Sequence, residues 1–247
     1  MSPGTARRVL VVVPAWNEAL SLAGVLQEIA DNLPAVGVLV VNDGSSDETS
    51  AVARACGVQV LDLPFNLGVG GAMRAGFRYA LAEGYDAVVQ VDADGQHNPR
   101  EVPRVVERLQ HADVVIGARF AEEGTYQVRG PRRWAMRVLA TVLSRLAHTR
   151  LTDTTSGFRA SGPRAIRLFA VHYPAEYLGD TIESLVIALR SGLNVEQVGV
   201  SMRERVAGRP SQRPIKAAIY LLRACLALGI SLTRPRQPLV PAVEARA

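Results

Sequence analysis

Along the first half of the chain, short blocks that are almost wholly apolar alternate with longer segments in which apolar and polar positions mix at helical spacing. The apolar blocks are 9–13 (VLVVV), 36–41 (VGVLVV), 58–61 (VQVL), 87–91 (AVVQV) and 114–116 (VVI). They are short, rich in β-branched residues and lack regular alternation, the pattern of parallel strands covered on both faces. Between them lie helix-length segments at 19–32, 47–56, 71–82 and 99–110. Strand and helix in turn predict a doubly wound, mostly parallel α/β sheet, and ligands of such sheets bind beyond the carboxyl ends of the strands. The residues that follow the strands are PAWNE (14–18), NDGSSD (42–47), PFNLG (64–68), DADGQ (92–96) and GARF (117–120), so their polar groups are expected to converge on one crevice.

After Phe120 the pattern changes. Residues 121–131 read as a loop, 132–147 as a basic amphipathic helix and DTTSGFR (153–159) as a polar turn. A helix at 181–191, a strand at 195–200, an arginine-rich stretch at 202–213 and an apolar helix at 215–232 complete the pattern. There is no internal repeat and no linker long enough to mark a second independent unit. The sequence therefore predicts one domain over 1–213, whose second half completes the site begun by the first, and a C-terminal apolar and basic helix and tail over 214–247.

Composition narrows the function. An apolar content of 48% over 247 residues is ample for a globular core and excludes a disordered chain. The formal net charge of +5 favours an anionic partner: phosphate, nucleic acid or a membrane surface. Cys56 and Cys225 lie far apart with no metal-like spacing, which reads as a reduced cytoplasmic protein with inert thiols. The run at 9–13 stops at Pro14, too short for a signal-peptide core. The tail reads AAIYLLRACLALGISL from Ala217, but Arg223 interrupts it. A spanning helix needs about 20 apolar residues. The tail thus suits either an interfacial helix or one docked on the core, and membrane contact, where it occurs, is peripheral at the cytoplasmic face.

The candidate chemistry sits in DADG. Asp92 and Asp94, one small residue apart at a strand end, suit a hard divalent cation, Mg²⁺ or Mn²⁺, held by carboxylates and by a substrate's phosphates. Alone, the tripeptide is equally ordinary turn chemistry. The other loops shift the balance. Asp47 suits a helix N-cap, whereas Asp43 has no such structural employment in the sequence. NLGVGGAMRAG (66–76) invites a dinucleotide-binding reading, but that fingerprint belongs after the first strand, and these glycines follow the third. Tight turning and close helix packing explain them better.

PAWNE, VNDGSSD, NLGVGGAMRAG, VDADGQHNP, DVVIGARF and DTTSGFR, in this order and spacing, resemble the inverting family 2 glycosyltransferases of the GT-A fold, in particular the polyprenyl-phosphate sugar synthases. The resemblance covers roughly 8–160. It implies a Rossmann-like GT-A sheet with an acceptor-side C-terminal half, a nucleotide-diphosphate sugar donor of the GDP-mannose or UDP-glucose type, a divalent metal, and polyprenyl (dolichyl) phosphate as acceptor. Nucleic acid is not an implied partner. Carried over by position, Pro14, Ala15, Trp16 and Glu18 correspond to the base and ribose end of the donor pocket and Asp43 to the nucleobase. Asp92 and Asp94 correspond to metal and sugar, with Gln96 near the metal; Asp153 would orient the site or take a proton. Asn42 departs from the family, many of whose members carry an aspartate there.

The acceptor decides whether a base is needed. A hydroxyl is protonated at neutral pH and calls for one, with Asp153, Asp180 or Glu183 as candidates and Glu183 alternatively facing solvent. A phosphate monoester, with a second pKa of about 6, is already ionised and needs cations. Arg119, Arg132, Arg133, Arg203, Arg205 and Arg209 flank the expected crevice for acceptor or diphosphate binding, while Arg137 and Arg145 read as solvated helix face. Two further readings remain: the same donor chemistry delivered to a glycan or small-metabolite hydroxyl, and a nucleotide-binding module without catalysis.

Overall fold

The computed structural model describes residues 7–118, 140–175 and 180–203. Its elements are β1 (Val9–Ala15), α1 (Ala19–Asn32), β2 (Gly37–Asn42), α2 (Thr49–Ala55), β3 (Gln59–Asp62), α3 (Gly68–Ala82), β4 (Ala87–Gln90), a 3₁₀ turn (Pro99–Glu101) leading into α4 (Val102–Arg108), and β5 (Val114–Ala118). Then come helix α5, whose described residues are 140–147, β6 (Arg159–Ser161), α6 (Pro163–His172), α7 (Asp180–Arg190) and β7 (Val195–Gly199). Arg145 lies in α5 and is exposed. The expected tail helix at 215–232 lies outside the described residues.

All seven strands form one sheet in the order β3-β2-β1-β4-β6-β5-β7. Every pairing is parallel except those of β6, which runs antiparallel to both β4 and β5. β1, β4 and β5 are buried on both faces, as their lack of alternation predicts, whereas β3, expected to be covered likewise, is the edge strand and is partly exposed. In β1, Leu10 and Val12 point into a core with α3, α6 and α7, while Val11 and Val13 point into a second core with α1 and α4. Helix α1 buries Leu22, Val25, Leu26 and Ile29, a stripe at helical spacing.

The strand order turns at β1: β2 and β3 lie to one side and β4 to the other. A crevice opens at such a switch point because consecutive connections leave the sheet on opposite faces. The loops after β1 and β4, PAWNE and DADGQ, therefore stand side by side. The glycines of α3 serve packing: a Cβ on Gly70 would lie 2.1 Å from the Pro174 carbonyl oxygen and 3.2 Å from the Asp180 Cβ. Only glycine lets the start of α3 approach the start of α7 so closely.

Two elements depart from the sequence reading. Arg159, expected as the end of the turn 153–159, begins the antiparallel strand β6 (Arg159–Ser161), and neither this strand nor α6 was anticipated. A three-residue strand is too short for a periodic signal, and it exists because β4 and β5 flank it.

Candidate active site

On the side expected to take the donor, polar side chains knit the loops after β1, β2 and β3 together. Asn17, at φ 54°, donates its amide to Ser45 Oγ (2.9 Å) and accepts the Ser46 amide (2.8 Å). The Glu18 amide donates to Thr49 Oγ1 (2.9 Å), and the Glu18 carboxylate accepts the Ser21 hydroxyl (2.7 Å). Asp47 accepts the amides of Thr49 (3.0 Å) and Ala19 (3.2 Å), so it serves the starts of two helices. Burial pushes its carboxyl up, but these bonds and the Thr49 hydroxyl outweigh that and hold it below the usual value. Pro14 and Ala15 are buried at the strand end, whereas Trp16 is half exposed and free to offer its ring face.

Asp43 and Asn42 are less idle than the sequence suggests. Asp43 is 3% exposed and accepts the Leu67 amide at 2.7 Å, bracing the loop that opens α3. Burial raises its carboxyl, partly offset by amide bonds from Leu67 and Gly68. Asn42 donates to Asp62 (2.8 Å) and accepts the Ser45 amide (3.1 Å), so its side chain is committed to the sheet edge.

DADGQ leaves β4 as a tight turn. Asp94, 5% exposed, accepts the Gln96 amide at 3.0 Å. Asp92 is aimed by two residues that sequence reasoning assigned no role. Buried Gln90 donates to Asp92 Oδ1 (2.8 Å), and buried His97 accepts the Asp92 amide on Nδ1 (3.0 Å). The other ring nitrogen, Nε2, lies 3.6 Å from Asp92 Oδ2. Gln90 carried a signal, since a polar side chain inside a doubly covered strand needs a partner. His97 stacks against Phe158 (5.1 Å between centroids) and pairs across an isolated bridge with Met202. Arg203 donates its amide to the Gln96 carbonyl (3.0 Å), closing the turn from behind.

The turn 153–158 faces these carboxylates. A Cβ on Gly157 would lie 3.4 Å from Asp92 Oδ2 and 3.0 Å from Gln90 Nε2. The glycine thus keeps clear the space over Asp92. Hard oxygen donors beside such a cleared space fit Mg²⁺ or Mn²⁺ completed by substrate phosphates. Among the described residues no group of three or more potential protein metal ligands converges. Asp153, 3% exposed, accepts the Thr155 hydroxyl (3.1 Å), and its amide donates to Gln197 (3.1 Å).

Arg159 holds this turn to α7. Its guanidinium, 7% exposed, donates to the carbonyls of Ser156 (2.8 Å), Thr154 (2.8 Å) and Thr181 (2.7 Å) and to Ser184 Oγ (3.1 Å). No local pattern points to this, because the Thr181 carbonyl is 22 residues away. Burial raises the Asp180 carboxyl, with Asp92 pushing further up and Arg159 pulling down. Burial likewise raises the phenol of Tyr173, which bonds to Ser184.

Of the expected cations, Arg203 is corrected. Its fork is taken by Glu28 (2.9 and 2.7 Å) and by Asn98 (3.2 Å), so it braces α1 against the DADGQ turn instead of presenting itself to phosphate. Glu183, read as a base or a solvent-facing residue, is buried at 8% exposure. Arg119, Arg132, Arg133, Arg137, Arg205 and Arg209 lie outside the described residues.

The chain is similar to known proteins across most of its length. It is 36% identical over 214 residues to the undecaprenyl-phosphate mannosyltransferase of Micrococcus luteus, covering 81% of this chain and 86% of that one. It is 33% identical over 227 residues to the polyprenol monophosphomannose synthase of Mycolicibacterium smegmatis, covering 83% and 82%. Among solved structures, glucosyl-3-phosphoglycerate synthase from Mycobacterium tuberculosis in complex with Mn²⁺, UDP and phosphoglyceric acid matches with a TM-score of 0.70 at 23% identity, over 93% of this chain and 80% of that one. At that identity the likeness is one of fold. The family model Glycosyl transferase family 2 matches residues 10–172, and this chain, with its GT-A sheet, is a member of that glycosyltransferase family.

Proposed function

We propose that the protein transfers a hexose from a nucleotide-diphosphate sugar to polyprenyl phosphate, with a divalent metal and with inversion at the anomeric carbon. The observation that carries this reading is identity above 30% over more than four-fifths of both chains to two enzymes named for lipid-phosphate mannose transfer. GDP-mannose is the first donor to try, and a UDP-hexose the second.

Each residue then has a task. Trp16 and Glu18 line the base and ribose end, Asp43 holds the rim of α3 beside the nucleobase, and Asp92 and Asp94 hold the metal with Gln96 alongside. When bound, Mg²⁺ or Mn²⁺ neutralises charge on the departing diphosphate. Gln90 fixes the Asp92 carboxylate and His97 its backbone amide before substrate arrives, so the orientation of Asp92 costs nothing during reaction. Asp153 and the turn 153–158 orient the acceptor over the sugar. Arg119, Arg132, Arg133 and Arg205 supply the cations for acceptor phosphate and leaving group. An ionised phosphate attacks without a general base. Asp180, whose raised carboxyl disfavours the charged form a base must use, is then not required.

The test supplies purified protein with labelled GDP-mannose or UDP-glucose and polyprenyl phosphate, with Mn²⁺ or with chelator. Label in the lipid fraction with Mn²⁺ and none with chelator is expected. Donor consumed equally under chelation, or no donor consumed at all, contradicts the reading.

A further inference from the structure

The two helical layers on either side of the sheet carry charge very differently. On the α1, α2 and α4 side acids and bases are mixed, and three ion pairs form there: Glu28 with Arg203, Arg54 with Asp62, and Arg104 with Glu101. On the other side, α3 and α6 pack together and contain no carboxylate at all: GVGGAMRAGFRYALA and PRAIRLFAVH. Their outward positions are Arg74 and Arg78 on α3 and Arg167 and Val171 on α6, all partly or fully exposed. Among the described residues, none of these three arginines has a hydrogen-bond or ion-pair partner, and each belongs to none of the paired sets above. Arg164, at the far end of α6, is paired with Asp113. Arg74 also sits close enough to His172 that, together with burial as the larger cause, it lowers that imidazole.

This face begins beside the site. Gly70 touches Pro174 and Asp180, and Arg74 follows one turn later, about 6 Å along α3 at 1.5 Å per residue. Three unpaired guanidinium groups without a competing acid on either helix, and an exposed valine among them (42%), suit a plane of anionic headgroups. We infer that the α3–α6 face rests on an anionic lipid surface, bringing the acceptor corner at Asp180 to the bilayer from which a lipid-linked phosphate is drawn. The inference deepens the lipid-phosphate reading and rests on it for its purpose, but its binding step is measured without turnover.

The experiment floats the full chain with phosphatidylcholine vesicles, with and without phosphatidylglycerol, at low and high salt. Wild type is expected to bind the anionic vesicles only, and less at high salt. Each basic residue near an anionic surface strengthens binding about fivefold, so Arg74→Glu/Arg78→Glu/Arg167→Glu should lose on the order of a hundredfold or more. The corresponding Gln triple variant should lose less, and both should melt like wild type, which separates surface charge from misfolding. On detergent-dispersed polyprenyl phosphate the Glu variant should match wild type; on vesicle-embedded acceptor it should fall behind. Equal binding of wild type and Glu variant to anionic vesicles, equal binding of wild type to neutral vesicles, or preference for duplex RNA over the vesicles would each overturn the inference. Intact vesicle binding with no transfer to polyprenyl phosphate would instead strike the proposed reaction alone.

Discussion

The donor-side loops and the acceptor-side turn both have to hold polar groups at strand ends, and they do so by opposite means. After β1 and β2, Asn17, Ser45, Ser46, Asp47 and Thr49 share the work through many single hydrogen bonds between neighbouring loops. Ahead of β6, one buried guanidinium ties Thr154, Ser156, Thr181 and Ser184 together. The first arrangement loses little when any one member goes. The second fails at one residue.

Breaking the chemistry shared by both sides should have the largest effect. Asp94→Ala is expected to reduce transfer by on the order of a thousandfold or more, since in the proposed function metal and diphosphate would lose a principal ligand. Circular dichroism should be unchanged, and near-normal turnover would remove the metal assignment. Next comes Arg159→Ala, which leaves three carbonyls in a buried setting without their donor. A loss of about 3–5 kcal/mol in denaturant unfolding is expected, together with loss of activity. Arg159→Lys should recover only part of both, because an ammonium cannot span the four acceptors of a planar fork.

The contrast between the two sides is also a contrast in legibility. Continuous apolar runs announce β1, β2, β4 and β5, and helical stripes announce α1 and α7, because each carries its own burial pattern. The loop motifs after those strands were readable for the same reason: short-range turn chemistry uses neighbours in sequence, as Asp94 does with Gln96. β6 and the role of Arg159 were not readable. Their partners come from β4, β5 and α7, and an arginine in a polar turn looks like a surface residue until the fold encloses it. Arg203 misled for a related reason, since the partner that claims it, Glu28, lies 175 residues earlier.

A finer probe of the acceptor side is Gly157→Ala. The new methyl would lie 3.0 Å from Gln90 Nε2 and 3.4 Å from Asp92 Oδ2. Activity should fall at least about tenfold, corresponding to about 1.4 kcal/mol in transition-state stabilisation, while the melting temperature moves little. Unchanged kcat/KM would mean that the space over Asp92 is not used.

Asp180→Asn should make the protein more stable at neutral pH. The Asp180 carboxyl is raised in the fold, so the native state binds its proton more tightly than the unfolded chain does. Its contribution to stability therefore grows as pH falls from above the raised value toward the ordinary 3.8, and it is smallest at neutral pH. The variant should lose that part of the pH dependence in denaturant unfolding followed from pH 8 to 4. With a phosphate acceptor it should keep turnover within a few-fold. The smallest effect belongs to the donor side: Ser45→Ala removes one of several shared bonds and should cost about 0.5–1.5 kcal/mol, with only a small rise in donor KM.

The most direct measurement compares polyprenyl phosphate with the matching unphosphorylated alcohol as acceptors for one labelled donor in the presence of Mn²⁺. Label in the phosphate product alone, kept within a few-fold in Asp180→Asn, is the predicted result. Label in the alcohol alone would contradict the account and turn the site into one that needs a base.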